Sequence, residues 1–423
     1  MLGLVCAVAL ADRGHTVTLL ESAADVGGLT ASQTLTTPRG EVACDRYYHV
    51  VLETDRRVKR LFDLLGLADS IRWTSAPATV ASGGIQYPAT GMIDMARLPA
   101  LSFGDRVRVG ASIAASIALP MDVARGVTAH RWLGRVAGDT VMSNFWEPIL
   151  RAKLGTRAPE VSAAFLVSTF RRLVSARLHG GGDRFGVVPH GYAPVLQALR
   201  DRVAGAGIRV RTEASVSQVV ASEGTLRVEL DEGGSLECDR VLLTTPGPVT
   251  NRLVPQLLSW ERKRLTAAPY LGVICAALLL TKPPNDAYIT YVVDDLGITG
   301  VIGTHALVDP ATTRDYSLVY VPRYCAPDDP WFEEPEEVLL GRLVDAAKKA
   351  LPGAPFEVVS GTVSKARYVM PVPTPRAPEP LPYRKSVPGL YVASAAQNFS
   401  GTLNVEGTLA MAAQALELIL QEQ

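Results

Sequence analysis

The N-terminal part of the chain shows two consecutive hydrophobic patterns. From Gly3 to Ala11 every side chain is small or apolar, which predicts a helix that is buried on all sides. Gly14 follows at a position suited to a helix C-terminus. Thr16 to Leu20 is a β-branched and aliphatic run that ends at Glu21, which predicts a buried parallel strand. Helix, glycine turn, strand and acid in this order are typical of the second half of a βαβ unit.

The rest of the chain divides into helical and strand patterns. A short amphipathic helix is expected at Arg56 to Leu65, a hairpin or edge piece at Ile85 to Asp94, and a helical region from Phe103 to Val174. The pattern then predicts a helix at Tyr192 to Ala204, followed by strands at Gly207 to Val210, Ser215 to Val220, Leu226 to Leu230 and Arg240 to Thr244. A second, largely antiparallel sheet is expected from the segments Leu271 to Leu280, Tyr288 to Val293, Ile298 to Gly303 and Ser317 to Pro322. The C-terminal part predicts a helix at Val338 to Leu351, a strand at Phe356 to Lys365, a proline-rich loop from Pro371 to Pro388 and a final helix from Leu403 to Gln421.

Composition limits the classes of partner. The chain has 423 residues, 48% of them hydrophobic, which favours two interleaved domains over one compact core. Basic and acidic residues are equal in number at 42 each, so no net charge attracts the chain to nucleic acid. The cysteines are scattered without CxxC spacing and the histidines form no ligand motif, so we predict no metal site, no disulfide framework and a cytoplasmic location. The longest apolar run, Val273 to Leu280 with its flanks, is too short to span a membrane and predicts a buried strand.

Glycines and one acid near the N-terminus have the spacing of a dinucleotide-binding site. In such a site, glycines let backbone amides approach a pyrophosphate, and an acid about 20 residues later binds a ribose hydroxyl. Gly3 and Glu21 fit the last glycine and that acid. The preceding strand and the first two glycines of the motif are absent from the sequence as given, which we interpret as a truncated phosphate-binding loop. Gly27 and Gly28 follow the acid and form a pair that can pass close to a bound phosphate or ring, where a Cβ would clash.

The stretch from Glu21 to Thr30 resembles the E-x(5)-GG signature of a superfamily of FAD enzymes, which includes amine oxidases, protoporphyrinogen oxidases and phytoene desaturases. Two further segments are similar to this superfamily. Asp239 to Pro246 looks like the strand and turn by which such chains leave the FAD domain. Pro388 to Ser394, followed by Asn398 to Gly407, looks like the last strand, loop and flavin-facing helix. The resemblance covers nearly the whole chain in element order, and it implies FAD as the cofactor.

The resemblance also implies which residues contact the cofactor. Free amides and the positive dipole end of the last helix would stabilise negative charge on a reduced flavin. Leu29 stands where many relatives have arginine, and Ser394 stands where many have an acid near the ribityl chain or a phosphate. Val216 occupies the position where relatives meet the adenine through the backbone. The predicted cofactor-binding residues are Gly3, Glu21, Gly27, Gly28, Leu29, Val216, Thr245, Ser394, Gly401, Thr402, Asn404 and Val405.

Two residues are predicted to be catalytic. Asp45 to Val50 resembles the aromatic-histidine segment that passes near the flavin ring in desaturases and UDP-galactopyranose mutases. His49 could therefore accept a proton or bind a flavin carbonyl, and a packed structural histidine is the alternative. Asn404, on the expected substrate side of the flavin, is the second catalytic prediction. Trp146 and Arg151 in the helical region are candidates for gripping an anionic or glycosyl substrate, or for ordinary helix packing.

Together these segments predict an α/β fold in which a Rossmann-type FAD-binding domain is interleaved with a mixed-sheet substrate domain and a helical subdomain. The FAD-binding domain is expected in three parts, residues 1–75, 186–250 and 386–423. The substrate domain is expected at residues 76–185, which include the helical subdomain, and at residues 251–385, which form its antiparallel sheet.

The leading functional prediction is an FAD-dependent oxidoreductase, either a desaturase or an oxidase. It would take a hydride from a carbon centre of a hydrophobic, polyene-like or porphyrinogen-like substrate onto flavin N5. One alternative is a sugar mutase resembling UDP-galactopyranose mutase, and another is a relative that binds a ligand without flavin. The expected partner is a small molecule, hydrophobic or glycosyl. Nucleic acid and a membrane span are not expected, contact with a membrane surface is left open, and the sequence does not define the oligomeric state.

Overall fold

The computed structural model of the chain describes residues 1–89, 101–180, 184–375, 381–397 and 404–422, with the side chains of residues 173 and 176–180 left out. The α-helices in these ranges are α1 (Leu2–Ala11), α2 (Arg56–Leu64), α3 (Phe103–Ala118), α4 (Met121–Gly126), α5 (Ala129–Ala137), α6 (Asp139–Val141), α7 (Glu147–Leu154), α8 (Ala163–Gly180), α9 (Ala193–Gly205), α10 (Gly247–Leu253), α11 (Ser259–Thr266), α12 (Glu336–Ala350) and α13 (Val405–Gln421).

The strands form one large sheet and several small ones. They are β1 (Thr18–Leu20), β2 (Ser32–Thr37), β3 (Gly40–Asp45), β4 (Arg72–Ser75), β5 (Ala78–Ser82), β6 (Ile85–Pro88), β7 (Arg184–Val187), β8 (Arg209–Arg211), β9 (Val216–Ser222), β10 (Thr225–Leu230), β11 (Ser235–Cys238), β12 (Val241–Leu243), β13 (Tyr270–Leu280), β14 (Ile289–Val292), β15 (Gly300–Gly303), β16 (Ser317–Cys325), β17 (Val358–Pro371) and β18 (Leu390–Val392).

Helix α1 lies on two parallel strand pairs, β1 with β8 and β12 with β18. A Cβ added at Gly3 would lie 3.6 Å from Thr244 Oγ1, just after β12, and 3.9 Å from Leu19 Cδ1 in β1. The other side of α1 packs on α13, where Leu2 and Cys6 share a buried cluster with Met411. Contacts on both sides explain why small and apolar residues occupy every face of α1, as its sequence predicts.

The large sheet has seven strands in the order β17-β13-β16-β15-β14-β5-β6. All its neighbours pair antiparallel except β14 and β5, which pair parallel. All eleven residues of β13 are buried, because two strands flank it and both of its faces are covered. Alternate residues such as Ile274 and Leu278 face α12, whereas Cys275 and Leu279 face the side on which β3 lies. The prediction of a buried strand from the apolar run 273–280 is therefore confirmed.

Residues 101–180 form a helical layer with its own core, built around Leu133, Phe145, Trp146 and Leu150. A five-residue π-helical stretch, Met142–Trp146, connects α6 to α7 and turns both aromatic side chains inward. No helix in the described ranges combines the length and the apolar character needed to cross a bilayer.

Several elements, among them β4, β7, β11, α10 and α11, were not predicted, and two further differences have a clear physical reason. The hairpin of β2 and β3 was not predicted, since the six residues SQTLTT of β2 are mostly polar and only Leu35 and Thr37 are buried. The strand expected to end at Lys365 continues to Pro371 as β17. Proline is tolerated there because β17 is at the edge of the sheet and needs no donor on its outer side. The hairpin or edge piece expected at Ile85 to Asp94 begins with the edge strand β6, which pairs with β5 from outside the expected range, and residues 90–94 lie outside the described ranges.

Candidate active site

The N-terminal end of α1 lies at the paired-glycine turn. The Met1 nitrogen donates to the carbonyl of Gly27 at 3.3 Å. Leu4 of α1, Val26 beside the turn and Val405 at the start of α13 belong to one buried cluster. Two helix N-termini, which carry positive dipole ends, therefore border the cluster that contains Val26.

The paired glycines adopt backbone angles that other residues rarely adopt. The φ angle is +134° at Gly27 and +59° at Gly28. A Cβ at Gly27 would lie 3.0 Å from Leu196 Cδ1 and 3.1 Å from the Cα of Ala31, whereas a Cβ at Gly28 would meet nothing within 4 Å. Gly27 is therefore needed for packing, and Gly28 presents a bare backbone to open space. Leu29, at the position where relatives carry arginine, is half-buried in the short 3-10 turn Gly28–Thr30.

The carboxylate of Glu21 lies just after the carboxyl end of β1. Its Oε1 accepts a hydrogen bond from the backbone of Ala23 at 3.0 Å. The Glu21 carbonyl accepts the amide of Ala214 at 3.0 Å, two residues before Val216 begins β9. The predicted ribose acid and the predicted adenine contact are therefore held close together by main-chain hydrogen bonds.

The remaining predicted cofactor residues follow the second strand pair or open α13. The Thr245 hydroxyl lies 2.8 Å from that of Thr250. Ser394 is buried directly after β18, and its amide donates to Gln397 Oε1 at 2.7 Å. Asn404 is the N-cap of α13, where its Oδ1 accepts the amide of Gly407 at 2.7 Å. This bond gives Asn404 a structural role, and its catalytic role stays a prediction. Gly401 and Thr402 lie outside the described residues.

These groups are compatible with the binding of FAD. The two helix N-termini and the bare backbone of Gly28 suit a diphosphate, and the carboxylate of Glu21 at the strand end suits a ribose hydroxyl. Within the described ranges, no cluster of three or more histidine, cysteine, aspartate or glutamate side chains is arranged to hold a metal ion.

His49 lines a cavity close to the glycine turn. Valine, leucine and tyrosine make up nine of its nineteen lining residues, and its polar lining residues include Asp45, His49, His190 and three threonines. His49 Nδ1 lies 3.3 Å from Asp45 Oδ2, and the two side chains are 18% and 6% exposed respectively. The Arg46 amide donates to the carbonyl of Ala31 at 3.0 Å, which connects the His49 segment to the glycine turn.

Asp45 is fixed by several contacts. Its Oδ1 accepts the backbone amide of Tyr192, the N-cap of α9, at 2.7 Å, and the Ser32 hydroxyl lies 3.4 Å away. The Asp45 carbonyl accepts the Tyr320 hydroxyl at 2.9 Å. A negative charge at the N-terminal end of α9 also interacts favourably with the helix dipole. Asp45 is therefore a rigid partner for the half-buried ring of His49.

Tyrosine rings surround this segment on the side of the large sheet. The hydroxyls of Tyr48 and Tyr324 lie 3.3 Å apart, and the ring of Tyr48 lies 6.3 Å from that of Tyr320. Burial raises the pKa of Tyr48 and of Tyr320 well above 10, and neighbouring groups add to the effect. These phenols are therefore neutral at physiological pH and give the site an uncharged aromatic wall.

Sequence reasoning missed three residues of this site, Asp45, His190 and Gly191. The i, i+4 spacing of Asp45 and His49 was visible in the segment already singled out. His190 and Gly191 carry consecutive positive φ angles of +64° and +69°, and the His-Gly-Tyr sequence after a strand was the available signal for this turn.

Trp146 and Arg151 do not form a substrate grip. Trp146 is buried and its Nε1 donates to Ser112 Oγ at 3.1 Å. Arg151 is 64% exposed and pairs with Glu147 at 3.4 Å. The helix-packing interpretation of Trp146 is therefore the correct one.

The family comparison defines the class of this chain as a flavin-dependent oxidoreductase. The chain belongs to the flavin containing amine oxidoreductase family, whose model matches residues 2–417. The predicted superfamily, the α/β fold and FAD as cofactor are therefore confirmed. No curated protein matches the sequence.

Solved structures share the fold over almost their whole lengths. A protein from Exiguobacterium sp. 255-15, provisionally named protoporphyrinogen oxidase, is 18% identical with a TM-score of 0.75, and the match covers 100% of this chain and 96% of that one. Putrescine oxidase bound to putrescine is 17% identical with a TM-score of 0.72, covering 99% and 96%. Cyclohexylamine oxidase from Brevibacterium oxydans IH-35A is 16% identical with a TM-score of 0.69, covering 100% and 97%. At these identities the likeness concerns the fold.

Proposed function

We propose that this FAD-dependent oxidoreductase oxidises a hydrophobic small molecule at a carbon centre, with His49 as the proton acceptor. The observation that carries the proposal is the pairing of His49 with the buried carboxylate of Asp45 in a largely apolar cavity. An apolar wall with a few convergent polar groups is typical of a small-molecule site.

The residues proposed to hold FAD lie around the glycine turn. The N-terminal ends of α1 and α13 and the backbone of Gly28 would bind the diphosphate and the flavin end, and Glu21 would bind a ribose hydroxyl. When bound, FAD supplies the hydride acceptor for the reaction.

The chain's own residues would manage the proton and the substrate. As the substrate carbon loses a hydride, a neighbouring carbon or heteroatom loses a proton, and His49 accepts that proton at the ring nitrogen that does not face Asp45. The neutral phenols of Tyr48 and Tyr320 add uncharged aromatic surface to the cavity wall and favour a substrate that is hydrophobic where it contacts them. Polyene-like and porphyrinogen-like molecules are the substrate classes that fit these features best.

The location and the membrane contact stay predictions. Five free cysteines support a reducing, cytoplasmic compartment. The exposed fractions of Phe103 and Val107 on one face of α3, 81% and 58%, support peripheral contact with a membrane that carries a hydrophobic substrate.

Anaerobic mixing of the FAD-loaded protein with porphyrinogen, polyene, amine and nucleotide-sugar compounds tests the proposal. We expect the flavin absorbance to bleach with a porphyrinogen or polyene, and the His49→Gln variant to bleach roughly 100-fold or more slowly. His130→Gln is the matched control, because His130 is 48% exposed and pairs with Glu147 on the helical layer. Bleaching by amines alone, or redox-neutral conversion of a nucleotide sugar, would replace the proposed substrate class. Equal rates in the His49 and His130 variants would remove the base role.

A further inference from the structure

The two oxygens of the Asp45 carboxylate face different partners. Oδ1 accepts the backbone amide of Tyr192 at 2.7 Å, and Oδ2 lies 3.3 Å from His49 Nδ1. The Tyr192 amide can only donate, and it is fixed because Tyr192 is the N-cap of the thirteen-residue helix α9. Oδ1 is therefore committed to Tyr192, and Oδ2 alone is available to the histidine.

We propose that Asp45 is a positioning residue that fixes His49 in the tautomer with its proton on Nδ1, an inference that rests on the proposed function of His49. An ionised carboxylate only accepts hydrogen bonds, so the ring nitrogen facing it must carry the proton. The other nitrogen, Nε2, is then unprotonated in the neutral ring and accepts a proton from the substrate.

Packing limits the alternatives to this arrangement. The ring of His49 meets that of Tyr192 edge to face, with centroids 5.3 Å apart and an interplanar angle of 71°. On the other side of Asp45, a Cβ at Gly191 would lie 2.3 Å from Oδ1. The carboxylate therefore has no room to turn towards position 191, and the edge-to-face contact with Tyr192 supports the observed position of the imidazole beside it.

The same geometry predicts what an amide would do at position 45. In Asp45→Asn the side chain has one accepting oxygen and one donating nitrogen. The fixed amide of Tyr192 requires the oxygen, so the nitrogen would face His49 Nδ1 and donate to it. His49 would then carry its proton on Nε2 and could not accept one from the substrate. Replacing one carboxylate oxygen of Asp45 by an amide nitrogen thus reverses the tautomer of His49, while the shape of the side chain at position 45 stays the same.

Nitrogen NMR of the FAD-loaded protein with ¹⁵N-labelled histidine tests this inference directly. The His49 signals are assigned by their loss in His49→Gln, and the spectra are recorded at alkaline pH, where imidazole is neutral. We expect a protonated Nδ1 in the wild type and a protonated Nε2 in Asp45→Asn. Glu261→Gln is the matched control, since Glu261 is a fully buried carboxylate that accepts the amides of Leu258 and Ser386 far from His49. Its His49 signals should match the wild type.

Turnover then separates the inference from the proposed function. With the reversed tautomer we expect kcat to fall roughly 100-fold or more with little change in KM. An unchanged tautomer in Asp45→Asn would overturn the positioning role of Asp45. A wild-type spectrum with the proton on Nε2 would overturn it even if the Asn variant failed to fold. A reversed tautomer with unchanged kcat would uphold the positioning role and overturn the base role of His49.

Discussion

Gly191 lies directly against Asp45, so closely that a Cβ at position 191 would be 2.3 Å from the Asp45 Oδ1. The φ angle of Gly191 is +69°, a value that residues other than glycine rarely adopt. Both observations make glycine necessary here, the first by contact and the second by backbone conformation. The Asp45 carboxylate lies between the Tyr192 amide and His49, so the turn at 190–192 packs against the carboxylate and fixes its position.

Gly191→Ala should destabilise the fold and weaken activity together. The left-handed backbone costs about 1–2 kcal/mol for alanine. The displaced carboxylate loses a buried, charged hydrogen bond to Tyr192, which adds about 1.5–3 kcal/mol. Urea unfolding measures the free energy, and Gly207→Ala is the control, because Gly207 has a φ angle of +68° with nothing within 4 Å of the added Cβ. Equal losses in the two variants would show that the contact with Asp45 contributes nothing.

Glu406 in the first turn of α13 caps the start of α2. Its Oε2 accepts the backbone amides of Arg57 at 2.8 Å and Val58 at 3.0 Å, and Oε1 pairs with the Arg57 guanidinium at 3.1 Å. We expect Glu406→Ala to lower the free energy of unfolding by about 1–2 kcal/mol, because two amides at a helix N-terminus lose their acceptor. Glu406→Gln should lose less, since it keeps an accepting oxygen.

Chemical denaturation compares these variants with Glu417→Ala. Glu417 lies on the exposed face of the same helix and accepts a hydrogen bond from Gln421, four residues further along that helix. A loss at Glu417 as large as that at Glu406 would mean that helix propensity, and not the contact with α2, accounts for the effect.

Hydrophobic patterns in the sequence correctly predicted the elements that are apolar along their whole length. The apolar helix α1 and the buried strand β13 are recognisable because their surroundings allow no polar side chain. The hairpin of β2 and β3 was missed because its stability depends on distant contacts, such as Gln33 with Ser364 at 3.2 Å. Pairings of this kind leave no periodic signal in the chain.

In the candidate site, too, residues with a local sequence signal were predicted and those that depend on distant contacts were missed. Gly27, Gly28 and Glu21 were found through their spacing, and His49 through its segment. The partnership of Asp45 with Tyr192 joins residues 147 positions apart, so one sequence contains no sign of it. The i, i+4 spacing of Asp45 and His49 is compatible with many conformations, and the distant turn at Gly191 lies against the carboxylate that pairs with the imidazole.

Gly28→Val should weaken FAD binding more than it weakens the fold. The missing Cβ of Gly28 meets no protein atom within 4 Å, so a valine side chain would extend into the space proposed for the cofactor. We expect FAD affinity to fall roughly tenfold or more, which corresponds to about 1.4 kcal/mol or more. Titration of the apoprotein with FAD, followed by flavin fluorescence, measures the loss.

Gly66→Val is the control for backbone strain in that titration. Gly66 follows α2 with a φ angle of +72° and also has nothing within 4 Å of the added Cβ. A similar loss of FAD affinity in both variants would assign the effect to strain, and an unchanged affinity in Gly28→Val would place the cofactor elsewhere.

Lys385 is a buried cation whose backbone amide donates to the carbonyl of Leu390 in β18. It is 4% exposed, and its ammonium donates to the carbonyls of Pro382 and Arg384. Burial lowers its pKa from 10.5 to about 8, although the nearby carboxylate of Glu261 opposes the shift. In the unfolded chain the Lys385 side chain stays protonated up to about pH 10.5, whereas in the folded protein burial disfavours this protonated form.

This shift predicts a specific pH dependence of stability. Between pH 8 and 10.5 the unfolded state binds more protons than the folded state at this residue, so the free energy of unfolding should rise with pH in that window. Each pKa unit corresponds to about 1.4 kcal/mol, which gives a rise of about 2–3 kcal/mol across the window. Lys385→Met removes the titrating group, and the rise should disappear in urea-unfolding curves measured at intervals from pH 7 to 10.5. Lys348→Met, on the exposed face of α12, should follow the wild-type curve. Parallel curves for wild type and Lys385→Met would mean that the folded protein accommodates the charged ammonium without penalty, through its carbonyl contacts and Glu261.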